Sequence, residues 1–106
     1  TAITYDVNVE APRYMDAYKD ILKKCAKLGI EVYVVLPPNY RPLNPAFLNR
    51  VKEVTPKSAE IFVYNQAQRS YADSNYFYDP SHLRQNGASL FSGELANFLL
   101  QKSPKK

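Results

Sequence analysis

The strongest constraint on the fold is a periodic helix that is followed at once by a short and almost wholly apolar segment. Within residues 12–28, the side chains on one stripe of a 3.6-residue helix are Tyr14, Tyr18, Ile21, Leu22, Cys25 and Leu28. Pro12 suits the first turn of this helix, and Gly29 suits its end. Ile30–Leu36, with the sequence IEVYVVL, is typical of a strand that is buried on both faces of a parallel sheet.

The rest of the chain continues this alternation. Asn44 and Pro45 predict the start of a second helix, which we expect to end near Lys52. Ala59–Tyr64, with the sequence AEIFVY, predicts a second buried strand. Residues 87–101 then show the periodicity of a last helix. The predicted order is therefore α-β-α-β-α, which indicates a single α/β domain.

Two buried strands are too few for a complete parallel sheet, because both are apolar enough to need neighbours. We therefore expect the C-terminal part of a doubly wound, flavodoxin-like sheet, completed by an N-terminal half or by self-association through open edges. The alternation of Ile3, Tyr5, Val7 and Val9 offers a candidate N-terminal edge strand. Residues 102–106 are expected to form a frayed tail. Because the chain begins with Thr rather than Met, we expect a processed product or an excised fragment.

Composition excludes several classes of function. Hydrophobic residues make up 45% of the chain and charged residues 23%, as in ordinary soluble domains, and no apolar run approaches the roughly 18 residues of a membrane span. The formal charge of +4 comes from scattered residues, which argues against a nucleic-acid partner. One cysteine and one histidine far apart predict neither a disulfide nor a metal site, and no glycine-rich loop indicates a cofactor.

A proline-rich segment follows the first predicted strand. PPNYRPLNP, residues 37–45, holds four of the eight prolines and therefore predicts a stiff loop rather than a helix or a central strand. Open α/β sheets bind ligands at the carboxyl ends of their strands, so Pro38, Asn39 and Tyr40 are predicted substrate contacts. The nine tyrosines suit either carbohydrate or peptide contact, or ordinary half-buried packing.

The motif DPSH, residues 79–82, contains the only histidine and has two interpretations. In the first, Asp79 caps a short helical turn and His82 is exposed beside it. In the second, Asp79 binds one ring nitrogen of His82, fixes its tautomer and stabilises the imidazolium, as a hydrolase requires of its base. Pro80 would stiffen the turn between them.

The segment DPSHLRQNGASLFSGELANFL resembles the C-terminal block of the SGNH (GDSL-like) hydrolase superfamily, in which a D-x-x-H motif lies just before the last helix. The order of elements over about residues 12–101 is similar to the late part of such domains. The resemblance implies a hydrolase, an esterase or O-acyltransferase acting on acylated carbohydrate or a cell-envelope polymer, with His82 as base and Asp79 as its orienting residue. Such substrates favour an extracytoplasmic location, periplasmic or secreted.

The chain departs from the family pattern in one respect. The family's nucleophile lies in a G-D-S block, and its oxyanion donors are a glycine and an asparagine in other blocks; none of these blocks occurs here. The chain would then be a fragment of the domain that is inactive alone. The alternative function is a non-catalytic α/β binding or assembly domain with a contact surface of tyrosine and proline. A G-D-S block encoded upstream would favour the first reading.

Overall fold

The computed structural model describes residues 5–102 and has three helices and two longer strands. In chain order these are α1 (Pro12–Lys27), β1 (Val32–Leu36), α2 (Pro45–Val54), β2 (Ala59–Val63) and α3 (Gln85–Lys102). Strands β1 and β2 pair in parallel, and the amide of Tyr64 donates to the carbonyl of Leu36 at 3.1 Å. The predicted α/β class and parallel pairing are therefore confirmed. Over residues 5–102 the sheet has only these two strands, so a complete doubly wound sheet is not seen.

Local signals in the sequence explain where the helices begin and end. Pro12 and Pro45 are the first residues of α1 and α2, where the missing amide hydrogen of proline leaves no helical hydrogen bond unmade. The side-chain oxygen of Asn44 caps α2 by accepting a hydrogen bond from the amide of Ala46 at 2.9 Å. Gly29 has a φ of 72°, the left-handed conformation that ends a helix and that a β-carbon would strain.

The chain divides into two compact units. The first unit holds the residues up to Val34 together with Asn44–Ile61. Its main polar link is a bidentate ion pair, in which Arg50 Nε and Nη2 donate to the two carboxylate oxygens of Glu10 at 2.8 and 2.9 Å. Glu10 is only 8% exposed and also accepts from the hydroxyl of Tyr5 at 2.8 Å. These bonds attach the segment before α1 to α2.

The second unit holds Val35–Leu43 and the residues from Phe62 onward. Its core is formed by three buried aromatic side chains: Tyr64, Tyr71 and Phe77. Helix α3 packs against β2, since the ring of Phe62 lies 4.7 Å from that of Phe98. Helix α3 also supplies Glu94, whose carboxylate accepts from the Tyr71 hydroxyl at 2.6 Å and from the amide of Asn65 at 2.9 Å.

The connection between β2 and α3, for which the sequence predicted only a long polar and aromatic loop, contains short regular structure. Two 3₁₀ turns at Arg69–Ala72 and Ser74–Tyr76 lead into an antiparallel hairpin of β3 (Phe77–Asp79) and β4 (His82–Leu83). Each turn is closed by a side chain that accepts from the amide two residues later, as Asp73 does from Asn75 at 2.9 Å. The DPSH motif therefore forms the end of a hairpin rather than the start of a helix.

The predicted N-terminal edge strand is wrong where the structure describes it. Val7–Val9 form a 3₁₀ turn, because the carboxylate of Asp6 accepts from the amide of Asn8 at 2.9 Å and holds the backbone in a local turn. Ile3, the first residue of that prediction, lies outside the described residues. Lys102, the first residue of the predicted tail, is the last residue of α3, and the other tail residues, 103–106, also lie outside.

Candidate functional site

The candidate site is the end of the β3–β4 hairpin in the second unit. Asp79 and His82 are cross-strand partners, and Pro80 and Ser81 form the two-residue connection between them. The carboxylate oxygen Oδ1 of Asp79 accepts from the amide of Ser81 at 2.9 Å, which closes the turn. The hairpin thereby places the only carboxylate of the motif beside the only imidazole of the chain.

The two side chains are joined through the ring nitrogen that the hydrolase reading requires. Nδ1 of His82 lies 2.8 Å from Oδ1 and 2.9 Å from Oδ2 of Asp79. The cap reading expected a backbone bond to Asp79, and the pairing reading expected an imidazole bond; the structure has both at once. Within residues 5–102, Nε2 of His82 makes no hydrogen bond, so this nitrogen is available to a reacting group.

The pair is a surface feature. The side chain of His82 is 73% exposed and that of Asp79 is 52% exposed. The hydrogen bond from His82, followed in size by that from the amide of Ser81, holds the pKa of the Asp79 carboxyl below its ordinary value. Asp79 is therefore a carboxylate at neutral pH, as an orienting residue must be. Exposure to water leaves the charge–charge attraction small, so the turn rather than the ion pair fixes the geometry.

The proline-rich loop after β1 lies beside this turn. The amide of Tyr40 donates to the carbonyl of Pro80 at 2.9 Å, and the ring of Tyr40 packs edge-on against Phe77 at 5.7 Å. Of the three predicted substrate contacts, Asn39 and Tyr40 are exposed and Pro38 is buried. Of the three, only Asn39 and Tyr40 therefore present surface to solvent. The structure brings the predicted loop and the predicted pair together at the carboxyl end of β1.

Sequence reasoning missed the residues that hold the hairpin in place. The guanidinium of Arg84 donates through Nε to the carbonyl of Phe77 at 2.9 Å and lies 4.8 Å from the centre of the Tyr78 ring. Gly87, in the first turn of α3, lies so close to the hairpin that a β-carbon would approach Leu83 Cδ2 and the Tyr76 carbonyl oxygen to 2.7 Å. The sequence signal that could have indicated the hairpin is an aromatic run and a later apolar residue, which are separated by a turn that contains proline.

Over residues 5–102, the structure gathers no group of three or more histidine, cysteine, aspartate or glutamate side chains that would hold a metal ion. Cys25 is a half-buried free thiol on α1. In the part of the chain that the structure describes, none of the helices combines the length and the apolar character needed to cross a bilayer.

Comparison of the chain with protein-family profiles, curated proteins and solved structures finds no match.

Proposed function

We propose that the chain is the C-terminal portion of an SGNH-type esterase or O-acyltransferase and supplies the acid–base pair of its catalytic site. The observation that carries the proposal is the bond between Nδ1 of His82 and the carboxylate of Asp79, which leaves Nε2 available. In this role Nε2 of His82 removes the proton of a serine hydroxyl as that oxygen attacks an acyl ester. Asp79 holds the ring and stabilises the imidazolium that forms.

The proposed substrate is an acylated carbohydrate or an acylated polymer of the cell envelope. Asn39 offers an amide and Tyr40 an aromatic ring with a hydroxyl, the two kinds of group that bind sugar hydroxyls and sugar faces. Both residues are exposed on the loop whose backbone is bonded to the DPSH turn. The nucleophile belongs to a segment outside these 106 residues, because no G-D-S block occurs in them.

The pairing is tested on the chain as it is, because one histidine gives one set of imidazole resonances. In ¹⁵N NMR spectra of the neutral ring, we expect the proton on Nδ1, where Asp79 accepts it. Asp79→Asn should weaken this tautomer preference. The matched control is Asp73→Asn, since Asp73 closes a similar turn through the amide of Asn75 but has no histidine partner. An unchanged tautomer in Asp79→Asn would remove the chemical basis of the proposal.

Catalysis is tested in a polypeptide that joins this chain to an upstream segment with the G-D-S block, using an activated acetyl ester. His82→Ala should abolish nearly all turnover. Asp79→Asn should lower kcat by up to about 10⁴-fold, which is the effect of losing the orienting carboxylate in a serine-protease triad. Asp73→Asn should leave kcat unchanged. Full activity of His82→Ala would show that the histidine takes no part in catalysis.

A second candidate function is non-catalytic binding, and one observation favours it. Tyr40 and Tyr78 are 43% and 69% exposed on the loop and the hairpin, so both offer aromatic surface to a partner. In this case Tyr78→Ala and Tyr40→Ala should reduce binding to a glycan or peptide, whereas His82→Ala should leave it unchanged.

A further inference from the structure

Helix α1 carries a second apolar face that its own unit leaves uncovered. Tyr14, Ile21 and Leu28 are 66%, 60% and 74% exposed, and the spacing of seven residues places them on one line along the helix and its C-terminal cap. The adjacent face is the one that packs into the first unit: Leu22 is 4% exposed, and the hydroxyl of Tyr18 lies 2.7 Å from that of Thr55.

The exposed apolar residues are concentrated in this part of the chain. Six of the ten large hydrophobic side chains that are exposed in the described residues lie between Val7 and Ile30. Single exposed hydrophobic residues need no explanation, but a row of them on one helix marks an interaction surface. From Tyr14 to Leu28 the row extends over about 21 Å at 1.5 Å per residue.

We propose that a second copy of this chain covers the row, with the two α1 helices antiparallel about a two-fold axis at Ile21. The spacing is symmetric about that residue, since Tyr14 and Leu28 each lie seven positions away. Each Tyr14 then meets the Leu28 of the other copy, and the two Ile21 side chains meet at the axis. A two-fold interface requires this kind of self-complementary surface.

The charges beside the row suit the same arrangement. Asp20 and Lys24 lie on one flank of the row and are paired within the helix at 3.0 Å. In the antiparallel arrangement the same flank of both helices meets, so Lys24 of each copy approaches Asp20 of the other. The flank is thus complementary to itself. A single pair of short helices buries a small interface, so we expect a dimer of micromolar rather than nanomolar affinity.

The oligomeric state is measured by sedimentation equilibrium from about 1 µM to about 1 mM, the range in which a weak dimer forms. Ile21→Asp should raise the dissociation constant by more than about tenfold, because it places a charge at the centre of the interface. Lys23→Asp, on the opposite side of α1, is the control and should dimerise like the wild type. Circular dichroism checks that both variants keep their helices. A wild-type chain that stays monomeric up to 1 mM, or a dimer that Ile21→Asp does not weaken, would overturn the proposal.

The direction of the helices is tested by cross-linking in a Cys25→Ser background. Tyr14→Cys mixed with Leu28→Cys should give a disulfide-linked heterodimer, whereas each variant alone should link poorly. Asp20→Lys and Lys24→Asp should each weaken self-association, and the mixture of the two should restore it. Efficient linking of Tyr14→Cys to itself, or no recovery in the charge-swapped mixture, would contradict the antiparallel arrangement. The dimer does not depend on the proposed catalytic role, because these tests do not involve His82.

Discussion

The sharpest test of the site's architecture is a comparison of two glycines in α3. A β-carbon at Gly87 would lie 2.7 Å from Leu83 Cδ2 and 2.7 Å from the Tyr76 carbonyl oxygen, whereas one at Gly93 would have no neighbour within 4 Å. The leucine methyl group can rotate away, but the carbonyl oxygen belongs to the backbone that enters the hairpin. Gly87→Ala therefore has to displace either the hairpin or the first turn of α3, and Gly93→Ala displaces nothing.

The expected change in the free energy of unfolding follows from two opposing effects. Replacing glycine by alanine within a helix stabilises it by about 0.5–1 kcal/mol. Forcing an additional methyl group into a packed site costs about 1–3 kcal/mol. Gly93→Ala experiences only the first effect and should raise the free energy of unfolding by about 0.5–1 kcal/mol. Because the helical gain is roughly common to both variants, Gly87→Ala should be less stable than Gly93→Ala by about 1–3 kcal/mol.

The assay is urea denaturation of the wild type and both variants, followed by circular dichroism. The NMR resonances of His82 report the hairpin independently, and they should move in Gly87→Ala but not in Gly93→Ala. If Gly87→Ala proves as stable as Gly93→Ala and the His82 resonances stay in place, α3 does not press on the hairpin, and the reasoning that links this helix to the site is refuted.

Three further predictions concern residues outside the turn. Arg50, with a smaller contribution from Tyr5, lowers the pKa of Glu10 from 4.5 to about 2. The ionised Glu10 carboxylate therefore stabilises the fold above the ordinary carboxyl pKa, and this stabilisation is lost as pH falls toward 2. Glu10→Gln should flatten the dependence of the urea midpoint on pH between 4.5 and 2, and an equally steep dependence would mean that the ion pair does not stabilise the fold. Tyr71→Phe should cost about 1.5–3 kcal/mol in urea denaturation, because Glu94 loses its hydroxyl donor, and no loss would contradict that bond. Gly29→Ala should cost about 1–2 kcal/mol through its left-handed φ alone, and thermal melting without a shift would contradict this.

The elements that sequence reasoning predicted well are those whose signals repeat over many residues. Residues 12–28 contain more than four helical turns, and Pro12 and Gly29 mark their ends, so α1 was placed to within one residue. The two longer strands were recognised because each is a short run of β-branched and aromatic residues, but the prediction that they are buried on both faces is wrong, since most of their residues are half-buried. The pairing of Asp79 with His82 was foreseeable because both residues belong to one turn, so their distance depends on local backbone geometry rather than on the whole fold.

The features that the sequence did not reveal depend on very few residues or on residues that lie far apart in the chain. The strands of the hairpin contain three and two residues, too few to show alternation. Glu10 and Arg50 are forty positions apart, and no periodic pattern predicts that an isolated carboxylate and an isolated guanidinium meet. The segment around Val7 alternates like a strand, but one hydrogen bond from Asp6 to the backbone decides in favour of a turn.

The shortness of the connection between Asp79 and His82 has a consequence for how the pair responds to perturbation. Only two residues separate them, so bringing the two side chains together costs little chain entropy compared with contacts between distant segments. The contact is thus local, and its geometry depends on the turn and the hairpin around it rather than on distant segments of the chain. We expect the imidazole–carboxylate contact to outlast partial denaturation, and to be retained when the β-hairpin is grafted onto another scaffold. A contact of His82 with a group on a distant segment would have no such protection, so heat would break that contact before it separates His82 from Asp79.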